Sequence, residues 1–315
     1  MENPSARDLL LAYQRQEREF VERRFPLRFE ADLPVVRELY EQAKRSRWNP
    51  VSDIPWDRFD PGRYDAETLQ AARLVWSRRA WSTYPGLSES TALLIRLCLE
   101  SGARRMDSKL FLSLRAAEEA KHLEACYLFT ERLGGYLPDP GDDSVRRASN
   151  HPLAQMALDR DVPVAAYLAA LGGLDDQLDL NLVLSHLQQT RDEVAKQILR
   201  LIAADKGRHV IFAWTALAAE AADLDAGGRA RVADTVRGLL ESVVLGGYRN
   251  VWLVPGTRGE EFTRAEAVTA ERGLGASTVA QETRVLRATV TQLRERLAAW
   301  SIALAPVSHP SLGTL

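Results

Sequence analysis

The sequence predicts an all-α protein, a bundle of long helices around a shared interior, and three observations carry that prediction. Nearly every segment with hydrophobic periodicity repeats at three and four residues, and no stretch alternates long enough to make a strand. Two helical runs, 105–134 and 191–223, extend for roughly 45 Å at about 1.5 Å per residue, a length suited to a bundle. Carboxylates and imidazoles recur on otherwise apolar faces of the central runs. With 315 residues, 46% of them hydrophobic, the chain can bury a large core, and one domain spanning 1–315 is expected.

In chain order, helices are expected over 5–25, 32–47, 65–83, 87–102, 105–134, 144–159, 163–188, 191–223, 229–251 and 276–303. The first, in "MENPSARDLLLAYQRQEREF", is charged and amphipathic rather than an apolar signal segment. "RWNPVSDIPWDRFDPGRYD" is a loop rich in Pro and Trp, "GGYLPDPGDD" is a turn, and Pro255 with Gly256 closes another helix. The bundle core is placed at about 65–225, with the helices of 1–64 and 226–315 packed on it.

Composition excludes several functions. A net charge of −2 gives no electrostatic case for nucleic acid or an anionic membrane. No apolar run reaches the roughly eighteen residues of a membrane span, and a cytoplasmic location is expected. Cys98 and Cys126 make neither a disulfide framework nor a thiolate zinc site.

The informative residues are polar groups on apolar faces. In "LFLSLRAAEEAKHLEACYLF", Glu119 shares a face with Leu112, Ala116, His122, Leu123 and Cys126, whereas Glu118 sits about 100° away and is expected to face solvent. In "DKGRH", His209 shares a face with Ile202, Asp205, Phe212 and Ala213, and Lys206 precedes it by three residues, as Glu119 precedes His122. In "LGGLDDQLDL", Asp175 falls on the stripe of Leu168, Leu171, Leu178 and Leu182, with Asp176 and Asp179 rotated towards the polar side. Glu89 aligns with Ala92, Leu93 and Leu97. Buried carboxylates repel one another until a cation or a proton neutralises them. Four helices offering such groups match a carboxylate-bridged metal site, which takes one carboxylate from each of two helices and Glu-x-x-His from each of the others.

"EEAKH" at 118–122, "LDDQL" at 174–178 and "DKGRH" at 205–209, following Glu89, resemble the ferritin-like di-metal carboxylate superfamily. Within it the sequence is most similar to ribonucleotide reductase small-subunit-like oxidases, including the ligand-binding oxidases and, more distantly, the arylamine N-oxygenases. "WNPVSDIPWDRFDP" also looks like the segment that precedes the bundle in such proteins, and the likeness covers about 45–225. The resemblance implies a ferritin-like four-helix bundle with flanking helices and an oxidoreductase that uses O2 and iron or manganese on a small organic substrate, in a homodimer. It implies Glu89 as a terminal ligand, Glu119 as a bridging carboxylate and His122 as the imidazole of one metal. For a second metal it implies Asp175 and His209, with Asp205 orienting an imidazole by accepting its other N–H.

Lys206 departs from the pattern, standing where a second bridging glutamate is usual. Each unit interaction at a few ångströms is on the order of 4 kcal/mol at an effective dielectric near 20, so an ammonium opposes a second divalent ion. Three arrangements stay open: one iron or manganese ion on Glu89, Glu119 and His122; two ions with Lys206 deprotonated or displaced; or no metal, with Lys206 paired to Glu119 and Asp175. On this reasoning Lys206→Glu should raise binding from at most one metal ion to two per chain. Cys126 occupies the place where small subunits usually hold a radical-bearing tyrosine, and Tyr167 and Phe212 are expected to border a substrate pocket.

Overall fold

The computed structural model describes residues 27–101 and 105–315, so the helix expected at 5–25 lies outside the described residues. Four long elements form the core. Helix α1 (Pro34–Arg45) leads into a loop with two short 3-10 turns, followed by α2 (Ala66–Thr83), α3 (Pro85–Ser101) and α4 (Met106–Arg132). Two short helices, α5 (Asp143–Ser149) and α6 (Leu153–Leu158), cross to a continuous rod made of α7 (Val164–Leu168), a π-helical stretch (Ala169–Asp176) and α8 (Gln177–Gln189). Then come α9 (Glu193–Ala221), α10 (Ala226–Leu239) running into a second π turn (Leu240–Val244), α11 (Thr257–Arg272) and α12 (Val279–Ala298). A two-residue hairpin, β1 (Ser308–His309) with β2 (Gly313–Thr314), closes the chain.

Caps set the helix starts. Asp65, Asp192 and Asp225 accept backbone N–H groups at the heads of α2, α9 and α10, and Thr278 with Gln281 forms a capping box on α12. Asp32 caps α4 from outside, its carboxylate accepting the N–H groups of Met106 and Asp107.

The bundle consists of α3, α4, the α7–π–α8 rod and α9, with α2 laid on α4 and α12 on α8. Two apolar clusters sit at its ends. One takes Phe111 and Leu112 of α4 with Phe212 and Ala213 of α9; the other takes Cys126 and Phe129 of α4 with Ile198 and Ile202 of α9. Between them, at the middle of both helices, lies a layer of buried charge.

The structure is the ferritin-like, all-helical architecture expected, with local corrections. The helix expected at 144–159 is two helices broken at Asn150–Pro152, where proline lacks the N–H a continuous helix needs. The helix expected to reach 251 ends in the π turn at Val244. Helix α11 was not expected, because Phe262 is the one large apolar residue on a buried face otherwise made of Gly259, Ala265, Glu266, Thr269 and Ala270.

Gly172, in the first π stretch, lies so close to α9 that a Cβ there would stand 1.8 Å from the Cβ of Ala213. Gly172→Val should therefore destabilise the fold by about 1–3 kcal/mol or more, despite valine's better helix propensity. Urea unfolding reads this directly; a midpoint at or above that of the parent protein would refute the close approach.

Candidate metal centre

The buried layer is built around Glu119. This carboxylate is fully buried, and Gly86 of α3 makes room for it, since a Cβ at that position would lie 2.6 Å from Glu119 Cδ. His122 Nδ1 stands 3.4 Å from Glu119 Oε2, and His209 Nδ1 stands 3.3 Å from Oε1. Both Nδ1 atoms and Oε2 are buried and lack hydrogen-bond partners among the described residues.

The outer nitrogens of the two rings are held crosswise. His122 on α4 pairs through Nε2 with Asp205 of α9 at 3.0 Å, and His209 on α9 pairs through Nε2 with Glu118 of α4 at 2.8 Å. Arg208 bonds both of these acids, and the indole N–H of Trp48 donates to Asp205 at 2.9 Å, its ring stacked on His122. A carboxylate on Nε2 sets the tautomer that leaves Nδ1 free as a ligand atom. Glu118 is therefore buried and engaged, which corrects its expected place in solvent.

Fixed cations also meet Glu119, on the same oxygen that faces His209. Lys206 Nζ lies 2.9 Å from Glu119 Oε1, 3.3 Å from Asp176 Oδ1 and 3.0 Å from Asp179 Oδ2. Arg115 Nη2 contacts both oxygens of Asp176, at 3.0 and 2.9 Å, and its other arm bonds Ser90. Arg249 forks onto Asp175 at 2.9 and 2.6 Å and lies 3.5 Å from Asp179. Burial drives the lysine pKa down, but Glu119, Asp179 and Asp176 outweigh it and hold Lys206 well above its ordinary value. Burial likewise pushes Glu119 up, and Lys206 and the imidazoles reverse this to well below the usual carboxylate range.

The expected assignment within "LDDQL" needs correction. Asp175 is buried but committed to Arg249, and Asp176 and Asp179, expected towards the polar side, reach Lys206 instead. The π stretch supplies the reason: its wider turn takes an extra residue, so the face that a 3.6-residue period assigns to Asp175 is passed on along the chain. Glu119, Asp176 and His209 each bring a ligand atom within 4.8 Å of the others.

Glu89 is set apart. Its Oε1 faces His151 Nε2 at 3.5 Å, neither atom has a hydrogen-bond partner among the described residues, and Tyr167 donates its hydroxyl to the Glu89 carbonyl. Burial, then the charge of Asp175, pushes its carboxyl up to about 8. Cys126 is buried among Trp76 and Phe129, and burial lifts its thiol to about 12, the range of an inert core cysteine. Phe212 stacks on Phe111 with centroids 4.8 Å apart.

Seven carboxylates, Glu89, Glu118, Glu119, Asp175, Asp176, Asp179 and Asp205, against Arg115, Lys206, Arg208 and Arg249 give a formal charge of −3 when all are ionised, so the layer carries more acid than its own cations neutralise.

Against solved structures, the chain aligns over 88% of its length with 95% of an R2-like ligand-binding oxidase variant with an aerobically reconstituted Mn/Fe cofactor, at TM-score 0.61 and 16% identity. A second such oxidase, with the same cofactor after a long soak, aligns over 86% of this chain and 93% of its own, at TM-score 0.61 and 16% identity. The chain has the fold of the R2-like ligand-binding oxidases. No family model and no curated protein matches the sequence. The R2-like fold also accounts for the element order, with Glu89, Glu119, Asp175–Asp176 and His209 on four successive core elements.

Sequence reasoning missed Glu118, Asp176, Arg115 and Arg249. Glu118 stands four residues before His122 as Asp205 stands before His209, and Arg115 is one turn before Glu119, so both had a signal in spacing. Arg249 had none, because it enters from beyond the bundle.

The raised pKa of Glu89 makes a prediction for protein stripped of metal. A folded-state pKa above the unfolded value gives stability that is present at acid pH and lost as pH rises from the ordinary carboxylate range through about 8. Glu89→Gln removes the loss, so its stability advantage over the parent should be larger at about pH 9 than at about pH 5 in urea unfolding. An equal difference at both would show that Glu89 ionises freely.

Proposed function

We propose that the protein is a non-haem oxidase or oxygenase that acts with O2 on a small organic substrate, using one ion of iron or manganese. The observation that carries this reading is the pair of buried imidazoles whose free Nδ1 atoms flank a single carboxylate while their Nε2 atoms are tied to acids. Mixed imidazole and carboxylate donors suit iron and manganese. Glu119, Asp176 and His209, whose ligand atoms lie within 4.8 Å of one another, would hold the ion, with His122 beside the other oxygen of Glu119. When bound, the ion supplies a redox centre at which O2 is reduced and the substrate oxidised.

The protein's own groups prepare that centre. Glu118 and Asp205 keep both rings in the ligating tautomer. Without metal, the acids around Lys206 hold its ammonium beside Glu119, and burial lifts the Glu89 carboxyl to about 8. Phe111, Phe212, Leu93 and Tyr167 wall the layer with fully or almost fully buried side chains and exclude water. The R2-like neighbours, described as ligand-binding oxidases with an Mn/Fe cofactor, support the reading at the level of fold. A role in specialised metabolism and a cytoplasmic homodimer belong to the same proposal. None of the described helices is long and apolar enough to cross a membrane.

A second reading draws on the ion pairs: every core carboxylate except Glu89 has a cation beside it, as in a metal-free scaffold with a lysine–carboxylate network. Anaerobic loading with Fe(II) followed by O2 separates the two. About one tightly held iron per chain is expected, with O2 uptake that His209→Ala and Glu119→Ala both abolish. Retention of neither iron nor manganese would leave the metal-free scaffold.

A further inference from the structure

A second buried polar network lies outside the bundle, and all of it converges on one segment. Arg78 of α2 bonds Glu266 of α11 at 2.9 Å, and its other arm donates to the backbone carbonyls of Tyr248 at 3.3 Å and Arg249 at 2.5 Å. Glu282 of α12 accepts from the Asn250 side chain at 2.7 Å and from the Trp252 indole at 3.0 Å, with His186 at 3.3 Å from its other oxygen. Glu266 and Glu282 are both almost fully buried, a costly location for two acids unless they hold something in place.

What they hold is the strap 246–256. It turns on Gly247 at φ +98°, where a Cβ would meet Val254 Cγ2 at 2.4 Å, and on Gly256 at φ +96°. Its tip carries Arg249 into the bundle, forked on Asp175, close to Asp179 and bonded to the carbonyl of Ser82 at 3.1 Å. Both oxygens of Asp175 are thus taken by guanidinium N–H groups.

We propose that Arg249, delivered by this strap, occupies the position of a second metal ion, so that it and not Lys206 alone limits the core to one ion. The inference rests on the reading of the core as a metal site. Lys206→Glu restores a carboxylate and corrects the charge, but it leaves Arg249 forked on Asp175 and its charge beside any incoming ion. A guanidinium does not lose its proton to make way, as an amine can. Removing Arg249 frees Asp175 and Asp179 together, which with Glu at 206 make a second donor set of three carboxylates.

The test is metal stoichiometry after anaerobic loading with Fe(II) or Mn(II), read by elemental analysis, for the parent, Lys206→Glu, and Lys206→Glu combined with Arg249→Gln. The single variant is expected to hold no more metal than the parent, and the double variant one more ion per chain. Glu282→Gln in the Lys206→Glu background loosens the strap from outside the core and should also raise metal content, which covers a double variant that fails to fold. A full extra ion in Lys206→Glu alone would overturn the proposal, as would no gain in either combined variant with a parental circular dichroism spectrum. A parent that binds no metal counts against the proposed function, whereas the increment between variants decides the role of Arg249.

Discussion

A fully buried carboxylate at the centre of four helices is the constraint on which the rest depends. Glu119 is removed from water, and in a low-dielectric interior its charge has to be met by cations or polarised donors within a few ångströms. Each neighbouring element answers that demand. Helix α9 brings Lys206 and His209, α4 brings His122 and Arg115, and α3 steps back at Gly86 to leave room. The apolar clusters above and below let the layer stay dry, so these interactions are less screened than their surface counterparts.

The crosswise pairing of Glu118 with His209 and Asp205 with His122 also sets helix register. The two bonds run in opposite senses between α4 and α9, so sliding either helix by one residue would break both and strand two buried acids. Arg208 spans the acids and Trp48 closes the outer side, which ties the loop ahead of α2 to the same register. The pairing that holds the two imidazoles thus also specifies how the two longest helices pack.

A helical period of 3.6 was enough to place Glu119, His122 and His209 inside and to order the core elements, because α4 and α9 are unbroken α-helices through the layer. It misassigned "LDDQL" because a π turn changes the period where the acids lie, and nothing in the residues shows that period directly. Glu118 was misplaced for another reason. A residue 100° from an apolar stripe reaches solvent only if no helix covers that side, and here α9 does. Arg249 required knowing how a strap more than seventy residues from Asp175 folds back, which is a property of tertiary packing alone.

Charge met by fixed side-chain cations differs in its consequences from charge met by an ion. Lys206, Arg115 and Arg249 neutralise Asp175, Asp176 and Asp179 as an ion would, yet none of them changes oxidation state or offers an open position to a substrate. Electron transfer would then have to pass through the Glu119, His122 and His209 side of the layer, while the cationic side contributes field and fixed geometry. Such a side also folds without waiting for metal, since its ion pairs form from the chain itself. The buried acids Glu266 and Glu282 fit that picture: they hold the strap, the strap holds Arg249, and Arg249 keeps one half of the layer closed. The core is thus asymmetric: ion pairs fill the side of Asp175 and Asp179, and the unpartnered Nδ1 and Oε2 atoms lie beside Glu119.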